Sequence, residues 1–192
     1  MIEVYKIQTE GELMKTCIFL ANGFEEIEAL TVVDFLRRAG AEIEIVSISE
    51  YKETVGSHSI TIIADKVIQE FDYEEYGCFV LPGGQPGATN LRESKVVIDC
   101  IQKANLDGKI IGAICAAPIV LVAAGIVNGR RLTSFPGSVK PSDEYLYLEE
   151  DVVVDGKLIT SRAVGTAFKF TFRLLEIMGF DHLKIKDTML ID

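Results

Sequence analysis

Short, wholly apolar runs alternate with longer amphipathic runs along this chain, and that alternation restricts its fold more than any other feature. Residues 15–21 (KTCIFLA) read as a strand, and residues 25–39 (EEIEALTVVDFLRRA) as a helix stopped by Gly40. Residues 42–48 (EIEIVSI) return to strand character, and 51–65 (YKETVGSHSITIIAD) read as a hairpin or two short strands around Gly56. Residues 77–81 (GCFVL) and 109–114 read as buried strands, with helices at 94–105 and 116–124 and a short strand near 130–135. DVVVDGKLITS holds a hairpin with Asp155–Gly156 as its turn, and residues 164–179 form a last long helix. Such alternation predicts an α/β fold: a mostly parallel sheet, helices on both faces, and right-handed crossovers.

Sheets of this kind bind ligands beyond the carboxyl ends of their strands. The segments that come after four of the strands are ANGFEE, PGGQPG, CAAP and SFPG, so all four are expected to meet at one edge. That places Cys115, in GAICAAP, in one crevice with Glu25, Glu26 and Glu28. A cysteine between a buried strand and a buried helix occupies a nucleophile elbow, a tight turn that lifts the side chain above the sheet. Gly112, Ala113, Ala116 and Ala117 leave room for such a turn, and Pro118 suits a first helical turn. A helix beginning at Ala116 would present unpaired N–H groups and a positive dipole end to the sulfur, which predicts a depressed thiol pKa.

Cys17, Cys78 and Cys100 lie in strand-like or helix-like apolar runs, and each reads as a small buried hydrophobe. No spacing among the four cysteines fits a zinc site or a disulfide framework, so no metal and no cofactor is expected. His182 reads as surface. His58, in VGSHSI, sits in a loop that approaches the crevice without making a Cys–His pair legible. The carboxylates are better partners for the thiol. Glu25 heads the row Ala29–Val32–Leu36 and Glu28 the row Val32–Phe35–Ala39, whereas the row from Glu26 reaches solvent at Arg37. A carboxyl on an apolar row is desolvated, its pKa rises, and it can hold or move a proton. Periodicity does not choose between Glu25 and Glu28. In PGGQPG, Gly83 and Gly84 expose N–H groups that, with the N–H of Ala116, form a candidate oxyanion hole.

The chain carries 19 Lys and Arg against 29 Asp and Glu, a net charge of −10 in 192 residues. That balance argues against nucleic acid as a partner. No run is long and apolar enough to cross a bilayer, and the N-terminus lacks a secretory pattern, so no membrane partner and a cytoplasmic location are expected.

The segments ANGFEEIEALTVVDFLRRAG, VLPGGQPGATNL, GAICAAP and ITSRAVGTAFKF together resemble the ThiJ/PfpI superfamily, most closely its DJ-one-like branch. The resemblance runs from about Lys15 to Gly179. It implies a single domain over 14–192 with a flavodoxin-like three-layer α/β/α sandwich (the class I glutamine amidotransferase-like fold), preceded by an extension over 1–13. It implies that Cys115 is the reactive elbow cysteine and that Glu28 is the carboxyl touching it. Gly84 and Ala116 match the backbone donors, Arg162 a residue near the site, and Asp34 and Arg38 a dimer-facing stretch, so a homodimer is expected. Three departures stand out. Phe135 occupies a place where the family often has histidine, and SRAVGT replaces the usual SRGPGT. Ala116, not histidine, comes directly after the cysteine, which weakens a peptidase reading; a thiamin-pathway role finds no phosphate cradle. The resemblance thus implies cofactor-free chemistry on a small aldehyde or dicarbonyl, of glyoxalase or deglycase type, through a hemithioacetal. The alternative it carries is a redox sensor with oxidisable Cys115.

Overall fold

The computed structural model describes residues 15–191; the extension read over 1–13 lies outside them. The chain opens with β1 (Thr16–Leu20), α1 (Glu26–Arg38) and β2 (Ile43–Ser47). A hairpin of β3 (Glu53–Val55) and β4 (Thr61–Ile63) comes next, then the short β5 (Lys66–Val67). After it stand β6 (Cys78–Leu81), α2 (Gly87–Glu93), α3 (Lys95–Leu106), β7 (Ile110–Ile114) and α4 (Pro118–Ala123). The remainder is β8 (Arg131–Leu132), β9 (Leu146–Tyr147), β10 (Val152–Asp155), β11 (Leu158–Ser161), α5 (Ala167–Ile177) and α6 (His182–Thr188).

Seven strands form one sheet in the order β10-β11-β7-β6-β1-β2-β5. All neighbours are parallel except β10 and β11, the hairpin that the Asp155–Gly156 turn predicts. The central strands are buried on both faces, as a parallel sheet under two helical layers requires. Alternation along β1 shows the layering. Cys17 and Phe19 pack with Leu91 of α2, Ile101 of α3 and Leu121 of α4. Ile18 and Leu20 pack with Leu36 of α1, Phe170 and Leu174 of α5, and Ile185 of α6. This is the expected three-layer α/β/α sandwich. The chain runs outward from β1 through β2 to β5, then returns to β6 on the other side of β1. The strand order therefore reverses between β1 and β6, where such sheets open a crevice.

Four sequence expectations change at element level. The helix read over 94–105 is preceded by a second one, α2, and Ser94 breaks the two and caps α3. The helix read over 164–179 is a short 3-10 turn at Val164–Thr166 leading into α5. His182 opens a further helix, α6. The helix read from Ala116 starts two residues later, at Pro118. Among the described residues, no helix is long and apolar enough to cross a membrane.

Candidate active site at the carboxyl edge of the sheet

Cys115 stands directly after β7 and takes a left-handed backbone conformation, φ +62°. For a residue with a Cβ this costs about 1–2 kcal/mol, so the surroundings must impose it. They do so from both sides. The Cys115 N–H donates to the carbonyl of Ser161, at the end of β11, at 2.9 Å, and the Cys115 carbonyl accepts from the Phe135 N–H at 2.7 Å. Ser161 is itself fixed, because its hydroxyl donates to the Asp151 carbonyl at 2.7 Å and lies 2.7 Å from the Thr166 hydroxyl. The chain turns through Ala116 and Ala117 before α4 begins, which explains the later helix start.

Glu28 meets the cysteine from α1. Glu25 is the N-cap of that helix, and its Oε2 accepts the Glu28 N–H at 2.7 Å. This removes Glu25 as the partner of the thiol and leaves Glu28, which is 0 % exposed. Glu28 Oε2 accepts the Gly83 N–H at 2.9 Å. Its other oxygen, Oε1, is buried without a conventional hydrogen-bond partner, and the Cys115 thiol contacts the same carboxyl group. A bare buried oxygen of this kind is costly on a carboxylate and tolerable on an acid. Accordingly burial pushes the Glu28 pKa up to about 7, against the hydrogen bonds from Cys115 and Gly83, with the negative charge of Glu25 adding to the rise.

The depressed thiol pKa expected from the sequence is not found. Burial pushes the Cys115 thiol up to about 12, the Glu28 charge and hydrogen bond raise it further, and the N–H groups of Ala116 and Gly84 act to lower it. Protonation of Glu28 removes that opposing charge and puts a donor beside the sulfur. The two groups are therefore coupled, and the protonation of one sets the proton affinity of the other.

The two adjacent glycines of PGGQPG close the site. A Cβ on Gly83 would lie 2.7 Å from the Cys115 Cβ, 2.7 Å from Glu28 Oε2 and 3.0 Å from the Ala116 nitrogen. Gly84 adopts φ +87°, and a side chain there would overlap the backbone of Gly23 and Glu25. ANGFEE, PGGQPG, CAAP and SFPG thus do converge at one edge.

Glu26 and His58 meet at the rim of the crevice. Glu26 is 4 % exposed, because the tip of the β3–β4 hairpin folds over it. Glu26 Oε1 accepts the His58 N–H at 2.6 Å, while Oε2 lies 2.8 Å from His58 Nδ1 and accepts the Ser57 hydroxyl at 3.2 Å. Burial works to raise the Glu26 pKa, but the His58 ring and N–H outweigh it and hold it at about 2. The same hydrogen bond raises the exposed His58 ring. His58 therefore reaches the rim of the crevice as the partner of Glu26. Glu25, Glu26 and His58 bring candidate metal-ligand atoms within 4.8 Å of one another. Glu25 Oε2 and both oxygens of Glu26 are already spent on hydrogen bonds at the positive end of α1, so the cluster fits a hairpin clasp better than a metal ion.

Of the remaining expected residues, Phe135 holds the Cys115 carbonyl through its N–H and is 47 % exposed. Arg162 is next to Ser161 in the chain and is half-buried. Asp34 and Arg38 pair with each other at 2.7 Å on the exposed side of α1. Cys17, Cys78 and Cys100 are buried, and Cys115 alone of the four is half-buried. Sequence reasoning missed Ser161 and Thr166 as supports of the elbow. Their hydroxyls stand in the SRAVGT run, but only β11 lying beside β7 gives them that role.

A sequence model of the DJ-1/PfpI family matches residues 14–177. The chain is 37 % identical to protein dj-1beta of Drosophila melanogaster over 162 residues, 83 % of this chain and 86 % of that one. It is 32 % identical to a deglycase of Thermococcus kodakarensis over 169 residues, 86 % of this chain and 99 % of that one. Among solved structures, a DJ-1 superfamily protein of Salmonella typhimurium superimposes with a TM-score of 0.87 at 32 % identity, covering 93 % of this chain and 99 % of that one.

Proposed function

The chain belongs to the DJ-1/PfpI family, and from that premise we propose that it converts small reactive carbonyls at Cys115 without a cofactor, by glyoxalase- or deglycase-type chemistry. The observation that carries the reading is a buried carboxyl with one unpartnered oxygen, touching a thiol at a strained elbow. The deglycase among the relatives supports the substrate class. In the proposed reaction ionised Glu28 takes the thiol proton as the Cys115 sulfur adds to the aldehyde carbon of a dicarbonyl, and the carbonyl π pair moves onto oxygen. The N–H groups of Gly84 and Ala116 face that charge. Glu28 protonates the oxygen, then carries a proton from the former aldehyde carbon to its neighbour. The resulting thioester is hydrolysed by water, which returns the sulfur to the thiol and leaves Glu28 ionised as at the start. For methylglyoxal the product is lactate, with no net oxidation. Purified wild-type protein is expected to form lactate from methylglyoxal without added glutathione, and Cys115→Ala to form none. Retention of turnover in Cys115→Ala would refute the mechanism.

A second reading has its own support. Cys115 alone among the four cysteines is half-buried rather than buried, so peroxide should oxidise it selectively, with protonated Glu28 donating to the sulfinate. Selective oxidation with no carbonyl turnover would favour that role. For assembly, Ile27, Asp34 and Arg38 share one stripe of α1, and Ile27 is 51 % exposed. The stripe supports a homodimer through this helix, which sedimentation of the purified protein would test.

A further inference from the structure

The carbonyl of Ser161 receives the Cys115 N–H, so the next residue, Arg162, stands at the sheet edge beside the nucleophile. Its guanidinium holds no carboxylate among the described residues. Its one hydrogen bond is a long one, 3.5 Å, from Nη1 to the Glu149 carbonyl. The other described arginines are occupied. Five hold carboxylates, and Arg130 donates to Asn105 Oδ1 at 2.6 Å. The nearby Asp151 carboxylate is taken by Lys169 at 2.6 Å. Glu28, the acid across the elbow, is neutral when it carries its proton. A half-buried arginine with most of its five donors free is a fork shaped for a carboxylate. In a chain of net charge −10, where anions are repelled overall, such a fork on the residue directly after the strand end that holds the elbow is a local exception.

We propose that Arg162 binds the carboxylate of the substrate, and that the preferred substrates are small aldehydes bearing a carboxylate rather than uncharged dicarbonyls. The proposal rests on the carbonyl reading for its chemistry and deepens it. With glyoxylate as the simplest member, the sulfur–carbon bond forms as the C=O π pair moves to oxygen. The thiol proton passes through Glu28 to that oxygen, and Arg162 holds the carboxylate. The addition is reversible and consumes no other reagent.

The test does not need turnover. Iodoacetate and iodoacetamide alkylate the same sulfur and differ chiefly in charge. Their rates at Cys115, tracked by mass spectrometry, are compared in wild type, Arg162→Gln and Arg162→Lys. Arg162→Gln is expected to slow iodoacetate by about tenfold, the scale of one charge-assisted hydrogen bond, and to leave iodoacetamide unchanged. Arg162→Lys should recover part of the loss, since it keeps the charge without the fork. Glyoxylate should protect Cys115 from iodoacetamide at lower concentration in wild type than in Arg162→Gln, while methylglyoxal protects both alike. An unchanged iodoacetate-to-iodoacetamide ratio in Arg162→Gln, or an equal fall in both rates, would overturn the proposal. If neither carbonyl protects the thiol, the carbonyl reading fails while the alkylation ratio still reports on Arg162.

Discussion

Gly83→Ala is expected to remove most of the reactivity of Cys115 toward carbonyls while the fold survives. The added methyl would sit 2.7 Å from both the Cys115 Cβ and Glu28 Oε2. None of these atoms is the free end of a flexible chain: one belongs to the strained elbow, the other to a buried carboxyl fixed by the Gly83 N–H. Something must move by a few tenths of an ångström or more, and the separation of acid and sulfur is what gives way. A displacement of this order between reacting groups costs roughly a hundredfold in rate, and overpacking costs about 1–3 kcal/mol in stability. Lactate formation and alkylation of Cys115, measured beside a circular dichroism spectrum, check this. An unchanged rate in a folded Gly83→Ala protein would mean that the contact of Glu28 with Cys115 does not matter.

The second large effect is on stability as a function of pH. The Glu28 pKa rises from an ordinary 4.5 to about 7 on folding. A carboxyl raised in this way binds its proton more tightly in the folded state. Its contribution is fully present below the unfolded pKa and is lost as pH rises through the folded one. Between about pH 4.5 and 7 the loss amounts to about 3 kcal/mol, at 1.36 kcal/mol per unit. Glu28→Gln has no proton to lose. The difference in unfolding free energy between wild type and Glu28→Gln should therefore move against wild type across this window and level off above it. A pH-independent difference would show that Glu28 titrates as an ordinary carboxyl. Glu26 acts in the opposite sense: its folded pKa of about 2 stabilises above its unfolded value and is lost on acidification. The comparison with Glu28→Gln isolates one group from the other.

Much of this arrangement is legible in the sequence, and the parts that are not share a cause. The buried strands and α1 declare themselves through apolar period. The convergence of the four post-strand segments comes from the rule that parallel sheets bind at their carboxyl ends. Glu28 and Glu25 look alike on a helical wheel; the family resemblance picks Glu28, and the geometry supplies the reason, because Glu25 is committed as the N-cap. The start of α4 is misread because Ala116 and Ala117 are good helix formers, and nothing local reveals that Ser161 at the end of β11 and Phe135 in the loop after β8 hold Cys115 in a left-handed conformation. The thiol pKa has the wrong sign at sequence level because only the neighbours of the cysteine along the chain are visible there. The desolvation and the Glu28 charge come from a helix far away in the chain. The burial of Glu26 is hidden for the same reason, since its cover is a hairpin about thirty residues downstream. α2 escapes because GATNLRE carries too few apolar positions to show a period.

The central claim is that a carboxylic acid titrating near neutrality sits against the elbow cysteine. The most direct measurement is the carbon-13 NMR titration of the Glu28 side-chain carboxyl, assigned by its absence in Glu28→Gln. The account predicts a midpoint near 7. A midpoint near the ordinary glutamate value of about 4.3 would contradict it, and would leave Cys115 without its proton partner.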